Sequence, residues 1–174
     1  MKKQQVFYNF TTTLLGLAVV VILIFSLYKS NEPVSVVYGN TNYSPLEFEL
    51  KQTNDTISKM LIRDRENSCE VVLESGATWF FAEPADMVLW LKDRRVGEKN
   101  RLWVYTIDTK RWIEARIAWY GIRDKTVMGY GFGAREVKTQ ECIDYESMSK
   151  RVLHGETLLN PRMRKHLLED NYDH

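Results

Sequence analysis

Close to its start, the chain has a long segment that contains no charged residue and includes an entirely apolar stretch. No charged side chain occurs between Gln4 and Tyr28, and residues 14–25 are Leu, Val, Ile, Ala, Gly and Phe throughout. A helix needs about 20 predominantly apolar residues to cross the hydrocarbon core of a bilayer. Because Lys2 and Lys3 precede the segment, the positive-inside tendency places the N-terminus in the cytoplasm. The pattern therefore predicts an N-terminal transmembrane helix.

A cleaved signal peptide is the alternative interpretation of this segment. It would need a short apolar core followed by small residues in an A-x-A pattern. Residues 24–29 instead read Ile-Phe-Ser-Leu-Tyr-Lys, which is a poor cleavage site. We therefore expect residues 1–30 to form a cytoplasmic tip and an uncleaved single-pass anchor in the inner (cytoplasmic) membrane. The C-terminal domain would then lie in the periplasm.

Short alternating stretches follow the anchor. Residues 31–45 are rich in Asn, Pro, Gly, Ser and Thr, which is typical of a spacer. Leu46, Phe48 and Leu50 then alternate with acidic residues and predict a first strand with one solvated face. Further apolar stretches, separated by turn residues, predict antiparallel strands at 60–62, 69–73 and 78–81.

The middle of the chain predicts a helix and then a hairpin. Pro84 suits the first position of a helix, and Met87, Trp90 and Leu91 follow at spacings that place them on one face. Two strand-like stretches, 101–107 and 112–120, flank a polar turn and predict a β-hairpin.

The last third of the sequence predicts one more strand and two helices. Residues 126–134 contain three glycines, which fits a strand that another backbone approaches closely. A helix is predicted around Tyr145, Met148 and Val152, and Asn160-Pro161 would cap and begin the last one.

Strands precede a helix in each half of the sequence after the spacer. Residues 46–174 are therefore predicted to form one α+β domain of two ββαβ-like halves, with mainly antiparallel strands. Five Trp, nine Tyr and seven Phe supply apolar material for a core. The aromatic residues expected in that core are Trp79, Phe81, Trp90, Trp103, Trp112 and Trp119.

The composition and the residue spacing argue against nucleic-acid binding, zinc binding and catalysis. The formal net charge is +1 and basic residues form no long run, so nucleic acid is not an expected partner. The three His are widely separated and have no zinc-site spacing. No nucleophile stands with a base and an orienting group, so we do not expect an enzyme. Cys69 and Cys142 would form one disulfide in an oxidising compartment, or would lie apart as buried thiols.

Three stretches stand in a characteristic order and spacing. The first is 58–62 followed by 69–76, the second is 80–87, and the third runs from 104 to 131 and ends in Met-Gly-Tyr-Gly. In this order they resemble the NosL family, the accessory proteins of nitrous oxide reductase. The resemblance covers residues 58–134.

The resemblance implies a periplasmic copper chaperone that delivers Cu(I) for assembly of the copper–sulfur centre of the reductase. It also implies nitrous oxide reductase or its assembly machinery as partners. The family typically has Cys-x-Met in the first stretch, whereas here Ser58 stands at the Cys position and Met60 keeps the Met position. A Cu(I) site built from Met60, Met87 and Met128 would have modest affinity, because thioethers are soft but uncharged ligands.

Each methionine also has an alternative role as a core residue. Met87 shares a helix face with Trp90 and Leu91, and methionine commonly fills gaps in a core. The alternative function is a protein-interaction module on the periplasmic face of the membrane that binds no metal. The missing Cys favours that alternative, and the retained Met60 and Met128 favour copper handling.

Overall fold

The computed structural model of the chain describes residues 2–30, 33–94, 97 and 99–169. It describes the side chains of these residues except for 2–11, 28–30 and 168–169. The chain divides into two compact units, Met1–Glu32 and Pro33–His174.

The first unit contains helix α1 (Lys2–Ser30), which includes the apolar segment at the start of the sequence. The helix itself is therefore confirmed. Within the described residues, however, no helix combines the length and the apolar character that a bilayer crossing requires. The predicted transmembrane anchor is thus not supported by the structure.

The second unit is built on an antiparallel five-stranded sheet. Its strands are β1 (Val36–Val37), β2 (Cys69–Val72), β3 (Thr78–Phe81), β4 (Arg101–Tyr105) and β5 (Trp112–Glu114). They lie side by side in the order β1-β3-β2-β4-β5, and every neighbouring pair is antiparallel. This arrangement confirms the strands predicted around 69–73 and 78–81 and the hairpin that follows them.

A smaller antiparallel sheet holds the remaining strands. These are β6 (Trp119–Gly121), β7 (Ala134–Arg135) and β8 (Cys142–Ile143), in the order β7-β6-β8. A short 3-10 helix (Ala115–Ile117) separates β5 from β6. The Glu114 carboxylate accepts a hydrogen bond from the Arg116 amide at 2.8 Å and so begins that turn. The stretch 112–120, predicted as one strand, is therefore divided between two sheets.

Three helices complete the unit, all at predicted places: α2 (Pro84–Leu91), α3 (Tyr145–Leu153) and α4 (Pro161–Glu169). The Asp144 carboxylate accepts from the Ser147 amide at 2.7 Å and caps α3. The Asn160 side chain accepts from the Arg162 amide at 3.1 Å at the start of α4. The sequence-predicted α+β class with antiparallel strands is confirmed.

The core lies where α2 and α3 contact the sheets. Val71, Phe81, Met87, Val104 and Met148 are fully buried in one continuous cluster. Of the aromatic residues expected in the core, Phe81 and Trp90 are buried, whereas the other four are half-buried: Trp79, Trp103, Trp112 and Trp119. Trp79 and Trp112 pack against the buried clusters, and the Trp103 indole donates a hydrogen bond to the Tyr43 carbonyl at 2.9 Å.

Three of the predicted strands do not form in the described residues. Residues 60–62 make only an isolated antiparallel bridge, between Leu61 and Asn54. Residues 46–50 are irregular because side chains occupy their backbone groups: the Leu46 amide donates to Glu70, and the Arg65 guanidinium donates to the Phe48 carbonyl. Residues 126–133 form a loop in which Gly129 and Gly131 have positive φ angles of 82° and 98°.

Two further differences concern the order of the elements. The first half contains β2, β3, α2 and β4 and so matches the predicted ββαβ order. In the described part of the second half no strand follows α3, so that half is not a second ββαβ copy. The expected spacer also contributes to the domain, since β1 pairs with β3 and the buried Asn40 amide donates to the Thr78 hydroxyl at 3.0 Å.

The core assignment predicts a large effect at Phe81. This ring is fully buried and packs edge-on against Trp90 at 5.6 Å between centroids. Phe81→Ala should lower the free energy of unfolding by about 3–5 kcal/mol in chemical denaturation. Tyr38 is 73% exposed, so Tyr38→Ala should change it by less than about 0.5 kcal/mol. Equal effects of the two substitutions would contradict the assignment.

Candidate functional site

The three methionines singled out by sequence lie in different environments. Met87 is fully buried in the apolar core, with 0% of its surface accessible to solvent. Met60 is 54% exposed, and Met128 is half-buried on the glycine-containing loop 126–133. Met87 therefore occupies the core position that the sequence analysis gave as its alternative role, and we do not carry it forward as a ligand. Met60 and Met128 remain as accessible sulfur atoms.

The loop that carries Met60 is held by one buried carboxylate. Asp55 Oδ1 accepts hydrogen bonds from the amides of Ile57 at 2.8 Å and Ser58 at 2.7 Å. Asp55 Oδ2 accepts from the amide of Ala82 at 2.7 Å, directly after β3. The Asp55 amide in turn donates to the Met60 carbonyl at 2.8 Å. These bonds fix the turn 55–60 against the end of β3.

Two more carboxyl groups are buried beside Asp55. Glu83 and Asp86 lie at the start of α2 and are each 1% exposed. Burial raises the pKa of Glu83 to about 7 and the pKa of Asp86 to about 8, and the nearby negative charge of Asp55 adds to both shifts. The protonated Asp86 carboxyl donates a hydrogen bond to Asp55, which further favours its neutral form.

The loop that carries Met128 contacts the same carboxyl groups. The Tyr130 hydroxyl donates to Asp86, and burial together with the two acids raises the pKa of Tyr130 to about 12. The Thr126 hydroxyl and the amides of Met128 and Tyr130 face Glu83 and offset part of the rise in its pKa. None of them forms a hydrogen bond of ordinary geometry with Glu83, since neither Glu83 carboxylate oxygen has a partner among the described residues. Asp55, Glu83 and Asp86 thus connect the Met60 turn to the Met128 loop.

The cysteines do not take part in this arrangement. Both are free thiols, so the disulfide alternative is not realised. Burial raises the pKa of Cys69 well above its ordinary value, and the surrounding carboxylates raise it further. Cys142 contacts the Thr139 hydroxyl at 3.0 Å in the smaller sheet. A thiol that stays protonated is a poor metal ligand, because the thiolate is the binding form.

Hard-ligand metal chemistry has no support in this region. Within the part of the chain that the structure describes, no group of three or more His, Cys, Asp or Glu side chains could hold a metal ion. The Ser58 hydroxyl accepts weakly from the Met60 amide at 3.4 Å. The accessible ligands are therefore thioethers, which suit a soft monovalent ion.

Sequence reasoning missed Asp55 and Glu83 and noted Asp86 as a neighbour of Met87. Asp55 stands in the polar stretch Asn54-Asp55-Thr56, which is typical of an exposed loop. Glu83 precedes Pro84, where an acidic residue usually serves as a helix cap, yet its side chain makes no capping hydrogen bond. The unused signal for Glu83 was its position directly after the apolar stretch 79–82, whereas the sequence around Asp55 gives no such signal.

The buried acids predict that the fold loses stability as pH rises. For Asp86 the folded-state pKa of about 8 lies above the ordinary 3.8, so the folded protein holds more protons than the unfolded chain between these values. The free energy of unfolding should therefore fall as pH increases through that window. Asp86→Asn should raise it by about 1–3 kcal/mol relative to wild type at pH 9 and leave it nearly unchanged at pH 4.

Denaturant unfolding at the two pH values measures this effect, with Asp93→Asn as the matched control. Asp93 is exposed, so its substitution should change stability by less than about 0.5 kcal/mol at either pH. A stabilisation by Asp86→Asn that does not depend on pH would contradict the protonated state of Asp86.

The chain is similar to a solved structure, whereas it matches no family profile. No protein-family profile matches the chain, and no curated protein matches it. Among solved structures, the crystal structure of the copper chaperone NosL from Shewanella denitrificans is similar, with 16% sequence identity and a TM-score of 0.45. The match covers 64% of this chain and 89% of that one. At this level of similarity no family is established for the chain.

Proposed function

We propose that this chain is an accessory protein that binds Cu(I) transiently and passes it to a recipient, with Met60 and Met128 as the ligands. The observation that carries the proposal is the connection of their two loops through Asp55, Glu83 and Asp86. One of the two sulfur-bearing side chains, Met60, is more than half exposed at this point. The sequence resemblance to the NosL family over residues 58–134 is consistent with this role.

The ligand chemistry favours transfer over storage. Cu(I) prefers soft sulfur ligands, and a thioether binds it without the charge of a thiolate. Ser58 stands where the family usually has its Cys, and the nearest thiol by sequence, Cys69, is fully buried. Copper is therefore cargo for this protein, held by two neutral ligands and open to attack by ligands of a recipient.

The recipient and the location belong to the proposal as well. The resemblance of residues 58–134 supports nitrous oxide reductase or its assembly machinery as the recipient. The charge-free stretch from Gln4 to Tyr28, with Lys2 and Lys3 ahead of it, supports a position at the periplasmic face of the inner membrane.

A protein-interaction module without metal is the second candidate. The substitution of Ser58 for the family's Cys favours it, and so does the absence of a hard-ligand cluster in the described residues. The two functions differ in one measurable property, which is Cu(I) affinity.

Competition titration against a Cu(I) chelator under reducing conditions tests the proposal. The wild-type chain should bind Cu(I) and should bind Zn(II) and Cu(II) poorly, because thioethers are its ligands. Met60→Leu and Met128→Leu should each weaken Cu(I) binding by about tenfold, which corresponds to about 1.4 kcal/mol. Each should cost less than about 1.5 kcal/mol of stability, because Leu conserves the volume of Met.

Met87→Leu is the matched control, because Met87 has the same sulfur but lies in the core. It should leave Cu(I) affinity unchanged. Ser58→Cys should raise the affinity by adding a thiolate. If wild type fails to bind and Ser58→Cys binds tightly, metal handling has lapsed and the interaction module is the better account. If neither binds, the copper proposal is wrong.

The proposed location has its own test. A reporter enzyme that is active only outside the cytoplasm, fused after the last residue, should be active in cells. A matched fusion lacking residues 1–30 should be inactive. Activity of a cytoplasm-specific reporter at the same position would overturn the location, and recovery of a chain that starts near Lys29 would show cleavage.

A further inference from the structure

A groove of about 280 Å³ lies beside the loop that carries Met128. Thr126 and Gly129 of that loop form one wall, and Leu158 and Arg164 form the other. The Leu158 amide donates to the Tyr130 carbonyl at 3.0 Å, and the Leu158 side chain fills the space where a side chain on Gly131 would stand. These contacts join the segment that carries Leu158 to the Met128 loop beside the groove.

The one carboxylate in the groove wall is already neutralised. Asp124 forms a two-pronged ion pair with Arg135, with distances of 2.5 and 2.6 Å, and accepts from the Gly133 amide at 3.1 Å. The Asp124 carboxylate also fills the space where side chains on Gly121 and Gly133 would stand, so these two glycines closely surround it. Its charge does not compensate the cations around the groove.

Three cationic side chains line the same groove: Arg123, Lys125 and Arg164. Among the described residues, no carboxylate lies within ion-pair distance of Lys125 or Arg164. Arg123 is already partly satisfied, because it pairs with Glu141 at 2.8 Å and donates to the Leu167 carbonyl at 3.2 Å. Lys125 and Arg164 are therefore the cations of this groove whose charge no carboxylate of the described residues compensates.

We propose that this groove is a docking site for an acidic segment of a partner protein. Its volume is at the lower limit of ordinary small-molecule pockets, about 300–1,000 Å³, and suits one or two carboxylate side chains. The three cations would hold those carboxylates, with Leu158 beside their aliphatic parts. The site does not depend on copper binding, but its wall is the Met128 loop, so a docked partner would lie next to the proposed Cu(I) ligand.

The test uses a fluorescent hexaglutamate peptide and the full chain without metal, measured by fluorescence anisotropy. Wild type should bind the peptide at about 50 mM salt and should lose most of the binding at about 500 mM, because exposed charges are screened. The double variant Lys125→Gln/Arg164→Gln should weaken binding at least about fivefold. Lys125→Arg keeps the charge and should stay within about twofold of wild type.

Arg63→Gln is the matched control, because Arg63 is an exposed cation outside the groove. It should leave peptide binding within about twofold of wild type, and the double variant should keep wild-type Cu(I) affinity. No peptide binding by wild type, or an equal loss in Arg63→Gln, would overturn the proposal. Binding of inorganic phosphate or of anionic phospholipid vesicles, lost in the double variant while hexaglutamate does not bind, would also overturn it. The Cu(I) titration fails or succeeds independently of these outcomes.

Discussion

The candidate site depends on how the carboxylate of Asp55 is solvated inside the protein. Three backbone amides, from Ile57, Ser58 and Ala82, replace the water that a buried carboxylate would otherwise need. The same bonds shape the Met60 turn and tie it to the end of β3. Burial of Asp86 raises its pKa to about 8, and the neighbouring Asp55 adds to the rise. Removal of the Asp55 carboxylate would leave three amides without acceptors and would release the turn.

The site therefore separates two kinds of group. Its acids are buried and connect the loops, while its sulfur atoms lie nearer the surface. The buried acids hold the two loops in order, and no group of three or more His, Cys, Asp or Glu side chains in the described residues could hold a metal ion. The cationic groove is lined by Thr126 and Gly129 of the Met128 loop. One loop thus serves both proposed contacts, the ligand at Met128 and the docking wall at Thr126 and Gly129.

Elements with a strong local pattern were predictable from sequence. The alternation in β4, the Pro84 start of α2 and the Asn160-Pro161 start of α4 are local signals, and the structure has all three. Residues 46–50 alternate equally well, but Glu70 and Arg65, distant in sequence, occupy their backbone groups. The pairing of Asp55 with Ala82 is likewise non-local, so no spacing rule reveals it. The helical spacing of Met87 with Trp90 and Leu91 predicted its core position, and the structure places it there.

The central claim is that Asp55 and its neighbouring acids hold Met60 and Met128 close enough to share one Cu(I) ion. NMR spectra of the chain with 13C-labelled methionine methyl groups, recorded during Cu(I) addition under reducing conditions, test this most directly. The account predicts that the Met60 and Met128 signals shift together at one equivalent of Cu(I), while those of the buried Met87 and Met148 stay in place. Shifts of only one of the two, or no shift at either, would contradict it.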